Sequence, residues 1–399
     1  MNPDLRQREQ RFLMQTYRRA EVEFVRGEGS LLFDRQGRQY LDLLSGISVA
    51  SLGHCAPPVV EAIDEQSKRL LHVSNLFYTE PMVDLAEALS SRSLGGPVFF
   101  CNSGAEANEC AIKVARRHAH GRGITEPEII VFEGDFHGRT YGALSATPGL
   151  AKSVALGPML PGFVPVPFDD SAAMEEAFGE NTAAVLMEPI QGEAGVYPVS
   201  EQTLKTARRL CDDSGALLVF DEVQTGIGRT GSLWAYEQTA VRPDVLTSAK
   251  ALGGGVAIGA CVNSEALGQV LEAGDHGSTF AAGPVAASAA LAVLDEVDDP
   301  EMLRRIRELG GRLADSLLRI DGVEEVRGRG LMLGLGLAGG IDAQQLNSGL
   351  LERGFVANAP RVDTLRLLPP FVLEDDQAAA AVAAVGEVVA TLRGGTGEA

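Results

Sequence analysis

The chain has 399 residues, of which 45% are hydrophobic and 22% charged, enough for two or three cores at roughly 150 residues per domain. A formal charge of −20 repels nucleic-acid backbones and anionic lipid, so any anionic substrate needs arginine or lysine inside a pocket. Five scattered cysteines (Cys55, Cys101, Cys110, Cys211, Cys261) include no CxxC pair, which argues against a disulfide framework or a zinc site and for reduced thiols.

The opening stretch Asp4-Leu5-Arg6-Gln7-Arg8-Glu9 is charged and lacks the apolar core of a secretory signal. No run reaches the roughly 18 apolar residues that span a bilayer, so a soluble cytoplasmic protein is expected. Val25 to Asp42 reads as short antiparallel strands around a turn at Asp34 to Gly37. Val98-Phe99-Phe100-Cys101 leads into a helical stretch from Ala105 to His120. Apolar runs then recur at Glu128 to Phe132, Ala183 to Met187, Ala216 to Phe220 and Asp244 to Thr247. From about Pro300 an Arg/Glu-rich helix precedes a Gly-rich strand, Glu325 to Gly336, and an Ala-rich helix from Gln377 to Leu392 follows.

Strands this apolar, alternating with helices, predict an α/β fold whose mostly parallel sheet is covered by helices on both faces. A small α+β domain built from both termini, residues 1–50 and 296–399, is expected to flank a large domain spanning 51–295. Ligands of such sheets bind just past the carboxyl ends of the strands.

Three stretches there carry residues suited to chemistry. In Asn102-Ser103-Gly104-Ala105-Glu106, Ser103 and Glu106 have the S-x-x-E spacing of a capping box. The same helix start offers unpaired N–H groups to an anion, and Gly104 would let a phosphate approach the backbone. In Phe220-Asp221-Glu222-Val223-Gln224, an extended backbone puts Asp221 and Val223 on one face and Glu222 on the other. A carboxylate beside an apolar side chain can grip a flat cationic heteroaromatic ring. At about 3 Å and a dielectric near 20 the attraction reaches roughly 5 kcal/mol, about four pKa units, enough to keep a pyridine protonated. The plainer alternative is a strand-end aspartate that caps a helix.

Lys250 sits among small uncharged neighbours ahead of Gly253-Gly254-Gly255. Burial there would lower its pKa and make it a nucleophile toward carbonyls, although a lone lysine after a strand is more often solvated. Gly226-Ile227-Gly228-Arg229-Thr230-Gly231 matches the dinucleotide fingerprint G-x-G-x-x-G. Asp221 to Thr225 separate it from its strand and it opens no clear helix, so it reads as a turn rather than an NAD site.

Taken in order, the blocks resemble the class III (fold type I) pyridoxal-phosphate aminotransferases, and among them the acetylornithine aminotransferases. The likeness runs from Val25 to Pro370 through Ser45-Gly46-Ile47, Leu52-Gly53-His54-Cys55, Ser74 to Tyr78, and Asn102 to Glu109. It continues through Phe136-His137-Gly138-Arg139-Thr140, Glu188 to Val196, Asp221 to Gly231, Lys250, and His276 to Phe280. The resemblance implies that pyridoxal 5'-phosphate is joined covalently to Lys250, which then shuttles a proton, while Asp221 holds the ring nitrogen protonated. It implies Phe136 and Val223 on the two ring faces, Gln224 at the phenolic oxygen, and Ser103, Gly104 and Ala105 at the phosphate. Ser278 and Thr279 would come from a neighbouring subunit, Thr279 reaching the phosphate, which makes the enzyme a homodimer with shared sites.

For substrates, the resemblance implies Arg139 and Arg366 as carboxylate-binding arginines, with Glu193 pairing Arg366 when the substrate has no carboxylate there. It points to transfer of the terminal amine of N2-acetylornithine to 2-oxoglutarate, giving the semialdehyde and glutamate in arginine biosynthesis. Succinylornithine, succinyl-diaminopimelate, ornithine, 4-aminobutyrate and carrier-linked aminoadipate semialdehyde are rival donors. A catalytically silent cofactor-binding protein and an NAD oxidoreductase are rivals of another class. Ile47 stands where ornithine aminotransferases tend to carry tyrosine, whereas Tyr17 lines up with a second tyrosine of that group. Gly283, Ala251 and Ala257 depart from the usual Asn, Gly and Pro.

Overall fold

The computed structural model describes residues 3–151 and 154–395. Its central sheet has seven strands in the order Gly95–Cys101, Gly259–Ser264, Val245–Ser248, Leu217–Asp221, Thr182–Met187, Glu128–Phe132 and Phe163–Val166. Pairing is parallel from Val245–Ser248 to Phe163–Val166. Gly259–Ser264 alone runs antiparallel to both its neighbours.

The sheet is buried on both faces because its strands are apolar at both phases of the pleat. Ile130, Phe132, Val185, Met187, Leu218 and Phe220 face one core. Ile129, Val131, Ala184, Leu186, Leu217 and Val219 face a second core, shared with Cys110, Ala111 and Val114 of the helix Gly104–Gly121. Each Val, Leu, Ile, Phe or Met side chain among them, taken out of water, stabilises the fold by about 1.5–3 kcal/mol.

The sequence reading of Glu325 to Gly336 as one strand is corrected by the structure. The segment forms a hairpin, Val323–Arg329 with Met332–Leu337, turned at Gly330 at a φ of 54°. A β-carbon at Gly330 would lie 2.5 Å from the Thr230 carbonyl carbon, so only glycine closes that turn. Two sheet strands carry no strong sequence signal. Phe163–Val166 holds Pro165 and can lie at the sheet edge, where a missing N–H is tolerated. Gly259–Ser264 begins on glycine because a β-carbon there would meet the Ser103 carbonyl oxygen at 2.5 Å.

Both ends of the chain meet in smaller sheets. Phe24–Glu28, Leu31–Asp34 and Gln39–Asp42 form an antiparallel meander, to which Phe355–Val356 adds in parallel. Its turn is set by Asp34, whose Oδ1 accepts the N–H groups of Gln36 and Arg38 at 2.9 Å each. The hairpin at 323–337 extends through Thr364–Leu367 to Asn358–Arg361, and the helices Pro300–Leu317 and Asp375–Gly395 belong to the same part of the chain. No described helix is long and apolar enough to cross a membrane. All five cysteines are free, and Cys55 is the exposed one.

Candidate active site

A cavity of about 450 Å³ opens at the carboxyl ends of the strands, where Ser103, Phe136, Asp221, Val223 and Lys250 converge. Gly104, Ala105, Arg139 and Gln224 complete its lining as far as the sequence candidates go.

One end is the start of the helix Gly104–Gly121. Ser103 is its N-cap, and its Oγ accepts the Glu106 N–H at 3.2 Å. The Glu106 carboxylate reaches back one residue further than a capping box requires, accepting the Asn102 N–H at 2.5 Å. Glycine at 104 has a packing reason that the sequence reading missed. A β-carbon there would lie 2.6 Å from Val223 Cγ1, so the helix start can seat against Val223 only without one.

The middle is Asp221, the last residue of its strand and buried. Its Oδ2 accepts from Asn108 Nδ2 at 2.7 Å and from His137 Nδ1 at 2.8 Å. Its Oδ1 accepts the Val223 N–H at 3.0 Å, with the Thr247 hydroxyl oxygen 3.4 Å away. Asn108 is fixed in turn, donating to the His137 carbonyl at 2.8 Å and accepting from Thr247 Oγ1 at 2.8 Å. Burial would lower the pKa of His137, but the adjacent Asp135 and Asp221 outweigh it and lift it to about 10. Its Nε2 stands 3.5 Å from Asp135 Oδ2 without a hydrogen bond, so that contact is a charge pairing.

Glu188 lines the cavity beside this cluster. It accepts the N–H groups of Phe136 at 2.9 Å and Gly192 at 3.2 Å. Burial first, then the charges of Asp135 and Asp221, push its carboxyl up to about 8. Glu222 points away from the cavity, as the extended backbone predicts. It is fully buried and accepts the Ala235 and Tyr236 N–H groups.

Lys250 follows the strand Val245–Ser248 and holds a φ of 47°, between the buried Ala249 and Ala251. Burial lowers its pKa against the opposing pull of Glu193. Beyond it lies Arg366, fully buried in the strand Thr364–Leu367. Arg366 Nη1 donates to Glu193 Oε1 at 2.7 Å and to Gln224 Oε1 at 3.1 Å, and Nε donates to Asn358 Oδ1 at 3.1 Å. Burial would raise the Glu193 carboxyl, but Arg366 wins and holds it below the usual range.

Arg139 is exposed, its guanidinium 5.6 Å from the centre of the Phe136 ring. Ser278 and Thr279 lie outside the cavity and line a recess of about 620 Å³ with Asn75, Leu76 and His276. Ser278 Oγ accepts from Asn102 Nδ2 at 3.0 Å, and Thr279 is exposed. The residues Gly226 to Gly231 are buried, and Gly226 N–H bonds the Glu222 carbonyl at 2.9 Å, so the fingerprint is a packed turn with no open phosphate cradle.

Asn108, Asp135, His137, Glu188 and Asn358 were not predicted as site residues. Four of them fall within or beside the quoted blocks, and their signal was a polar side chain where a core position is expected. Asn358 has no local signal, because its partner Arg366 belongs to a neighbouring strand.

The family model for class-III aminotransferases matches residues 14–389. An acetylornithine aminotransferase of Methanocaldococcus jannaschii is 42% identical over 390 residues, covering 96% of this chain and 98% of that protein. A solved N-acetylornithine aminotransferase from Stenotrophomonas maltophilia has a TM-score of 0.83 at 37% identity, covering 95% of this chain and 98% of the other. A solved ornithine aminotransferase from Toxoplasma gondii, with PLP partly occupying its active site, has a TM-score of 0.92 at 32% identity, covering 98% and 94%. The chain belongs to the class III aminotransferase family.

Proposed function

We propose that this class III aminotransferase moves the terminal amino group of N2-acetylornithine to 2-oxoglutarate, forming N-acetylglutamate 5-semialdehyde and glutamate. Its cofactor is pyridoxal 5'-phosphate. The donor set fits that group. A helix start with unpaired N–H groups faces the cavity at Gly104 and Ala105, a carboxylate stands at Asp221, apolar surface at Phe136 and Val223, and an amine of lowered pKa at Lys250. When bound, the cofactor supplies an electron sink for the pair left on the substrate carbon as its proton departs.

This chain's own residues do the rest. Lys250 Nζ is the nucleophile toward the cofactor aldehyde and afterwards carries the substrate proton, for which a lowered pKa is the right setting. Asp221, held by Asn108, His137 and Thr247, offers a fixed carboxylate to the ring nitrogen. Ser103, Gly104 and Ala105 would receive the phosphate, Phe136 and Val223 would flank the ring, and Gln224 would reach its phenolic oxygen.

The observation that carries the substrate reading is the Glu193–Arg366 pair at 2.7 Å. Closed, it neutralises an arginine that would otherwise demand a carboxylate, so an acylated amine is accepted. Opened, it frees Arg366 for the second carboxylate of glutamate, while Arg139 takes the first. Tyr17, the tyrosine shared with ornithine enzymes, lines a separate pocket with Arg18 and Asn347 and leaves the cavity without that phenol. A homodimer that works in the cytoplasm completes the reading. Leu71, Leu76, Phe77, Tyr78 and Phe280 are exposed apolar side chains, Leu76 lining the same recess as Thr279, and a second copy would cover them while presenting its own Thr279 to this cavity. Steady-state kinetics with a panel of amino donors and 2-oxoglutarate tests the proposal; absence of transfer from N2-acetylornithine overturns it.

A further inference from the structure

The turn Gly226–Gly231 takes no part in the cavity, yet its one charged residue is among the largest fully buried side chains described. Arg229 Nε donates to Ser48 Oγ at 2.9 Å and Nη2 to Ser51 Oγ at 2.7 Å. Its Nη1 donates to the Leu331 carbonyl at 2.9 Å and the Pro369 carbonyl at 2.6 Å. The guanidinium stands 4.8 Å from the centre of the Phe371 ring. All four acceptors are neutral oxygens. Asp42, whose charge it feels, is itself bonded to His54 Nε2 at 2.6 Å. A cation buried without a paired carboxylate is costly, so what it holds together is informative.

On one side it holds a turn of unusual conformation. Ser45, Gly46, Ile47 and Ser48 have φ values of 52°, 61°, 67° and 63°, a full left-handed turn in which three residues are not glycine. Such backbone persists only where its surroundings over-determine it. Asp42 Oδ1 accepts the Leu44 and Ser45 N–H groups at its entry, and Arg229 takes Ser48 and Ser51 at its exit. The turn presents Ile47 and leads into Val49, which lines the active cavity.

On the other side Arg229 holds the segment that directly follows Arg366. That segment is zipped to the turn by Leu368 N–H to the Leu43 carbonyl, Ser45 Oγ to the Leu368 carbonyl and Phe371 N–H to the Ser51 carbonyl, each at 2.7 Å. Arg229 is the side chain that bonds both partners of the zipper.

We propose that Arg229 is a positioning residue for the substrate end of the active site, clamping the left-handed turn that bears Ile47 in register with the strand that bears Arg366. The proposal rests on the aminotransferase reading for which end binds substrate. It predicts that loosening the clamp weakens substrate binding and leaves the cofactor's attachment intact.

The test compares holoenzyme of wild type, Arg229→Lys and the double variant Ser48→Ala/Ser51→Ala. Lysine keeps the charge but loses the fork, and the double variant keeps Arg229 but removes its two hydroxyl acceptors. Backbone hydrogen exchange is followed at residues 44–51 and, as an internal control, at the strand Leu217–Asp221. The expected result is exchange about tenfold faster at 44–51 with the control strand unchanged. KM for N2-acetylornithine and for glutamate should both rise about tenfold, with a much smaller change in kcat and no shift of the cofactor absorption band. Unchanged exchange at 44–51, or a lowered melting temperature with both KM values unchanged, overturns the proposal. If Arg229→Lys fails to fold, the double variant decides alone. If wild type proves inactive with N2-acetylornithine, the substrate reading fails, and KM for glutamate still decides the role of Arg229.

Discussion

The lining of the active cavity around Asp221 and the Glu193–Arg366 pair, which joins that lining through Gln224, are built differently. Around Asp221 there is a dense network at the carboxyl end of a central strand: Asp221 accepts from Asn108, His137 and the Val223 N–H, while Thr247 donates to Asn108 and Asn108 to the His137 carbonyl. The pair proposed to meet substrate is assembled from distant parts of the chain, with Glu193 and Arg366 meeting across a sequence separation of 173. Arg139 at the mouth is exposed and without such a network around it. On the proposed function, the network would hold the cofactor and the pair would open and close as two substrates alternate.

Changes at the cofactor end should cost the most. On its proposed role Lys250→Ala would remove both nucleophile and proton carrier, and transamination should fall by roughly 10⁴-fold or more, with the cofactor no longer covalently attached. Kinetics and borohydride trapping followed by mass spectrometry check both effects. Asp221→Asn keeps the shape and removes the charge. A lost attraction of up to roughly 5 kcal/mol corresponds to a fall in kcat of up to about 5 × 10³-fold, read by stopped-flow absorbance.

The substrate end should respond selectively. Glu193→Ala should leave glutamate turnover nearly intact and lower kcat/KM for N2-acetylornithine by about tenfold, because Arg366 would then stay open to a carboxylate. Equal losses for both substrates would erase the distinction drawn between the two ends.

The smallest effect is on stability. The folded-state pKa of His137, about 10, lies above its ordinary value of 6.5, so its contribution is complete below pH ~6.5 and is lost as pH rises through about 10. The melting temperature should therefore fall between pH 7 and 10, and His137→Asn should flatten that decline. A variant with the wild-type slope would show that His137 is not the titrating group.

Much of the cofactor end was legible in the sequence. The apolar runs ending at Cys101, Met187, Phe220 and Thr247 located strand ends, and residues that follow strand ends of one parallel sheet must converge. His137 and Glu188 escaped as site residues because nothing local distinguishes a buried polar side chain that serves the site from one that serves the fold. The hairpin at 323–337 was read as one strand because glycines spread through it mask the turning point at Gly330. The Gly226–Gly231 motif was rightly set aside as a dinucleotide site, but its arginine went unread, since its acceptors lie at Ser48, Ser51, Leu331 and Pro369.

By itself, then, the sequence determined the α/β sheet and the set of groups at its strand ends, because period, apolar runs and strand-to-loop transitions act over a few residues. Only the tertiary structure decided that Glu193 closes on Arg366, that Asn108 and His137 brace Asp221, and that Arg229 joins the left-handed turn at 45–48 to the segment after Arg366. Those contacts join residues far apart in the chain, and hydrogen-bond geometry between distant segments leaves no mark on local spacing.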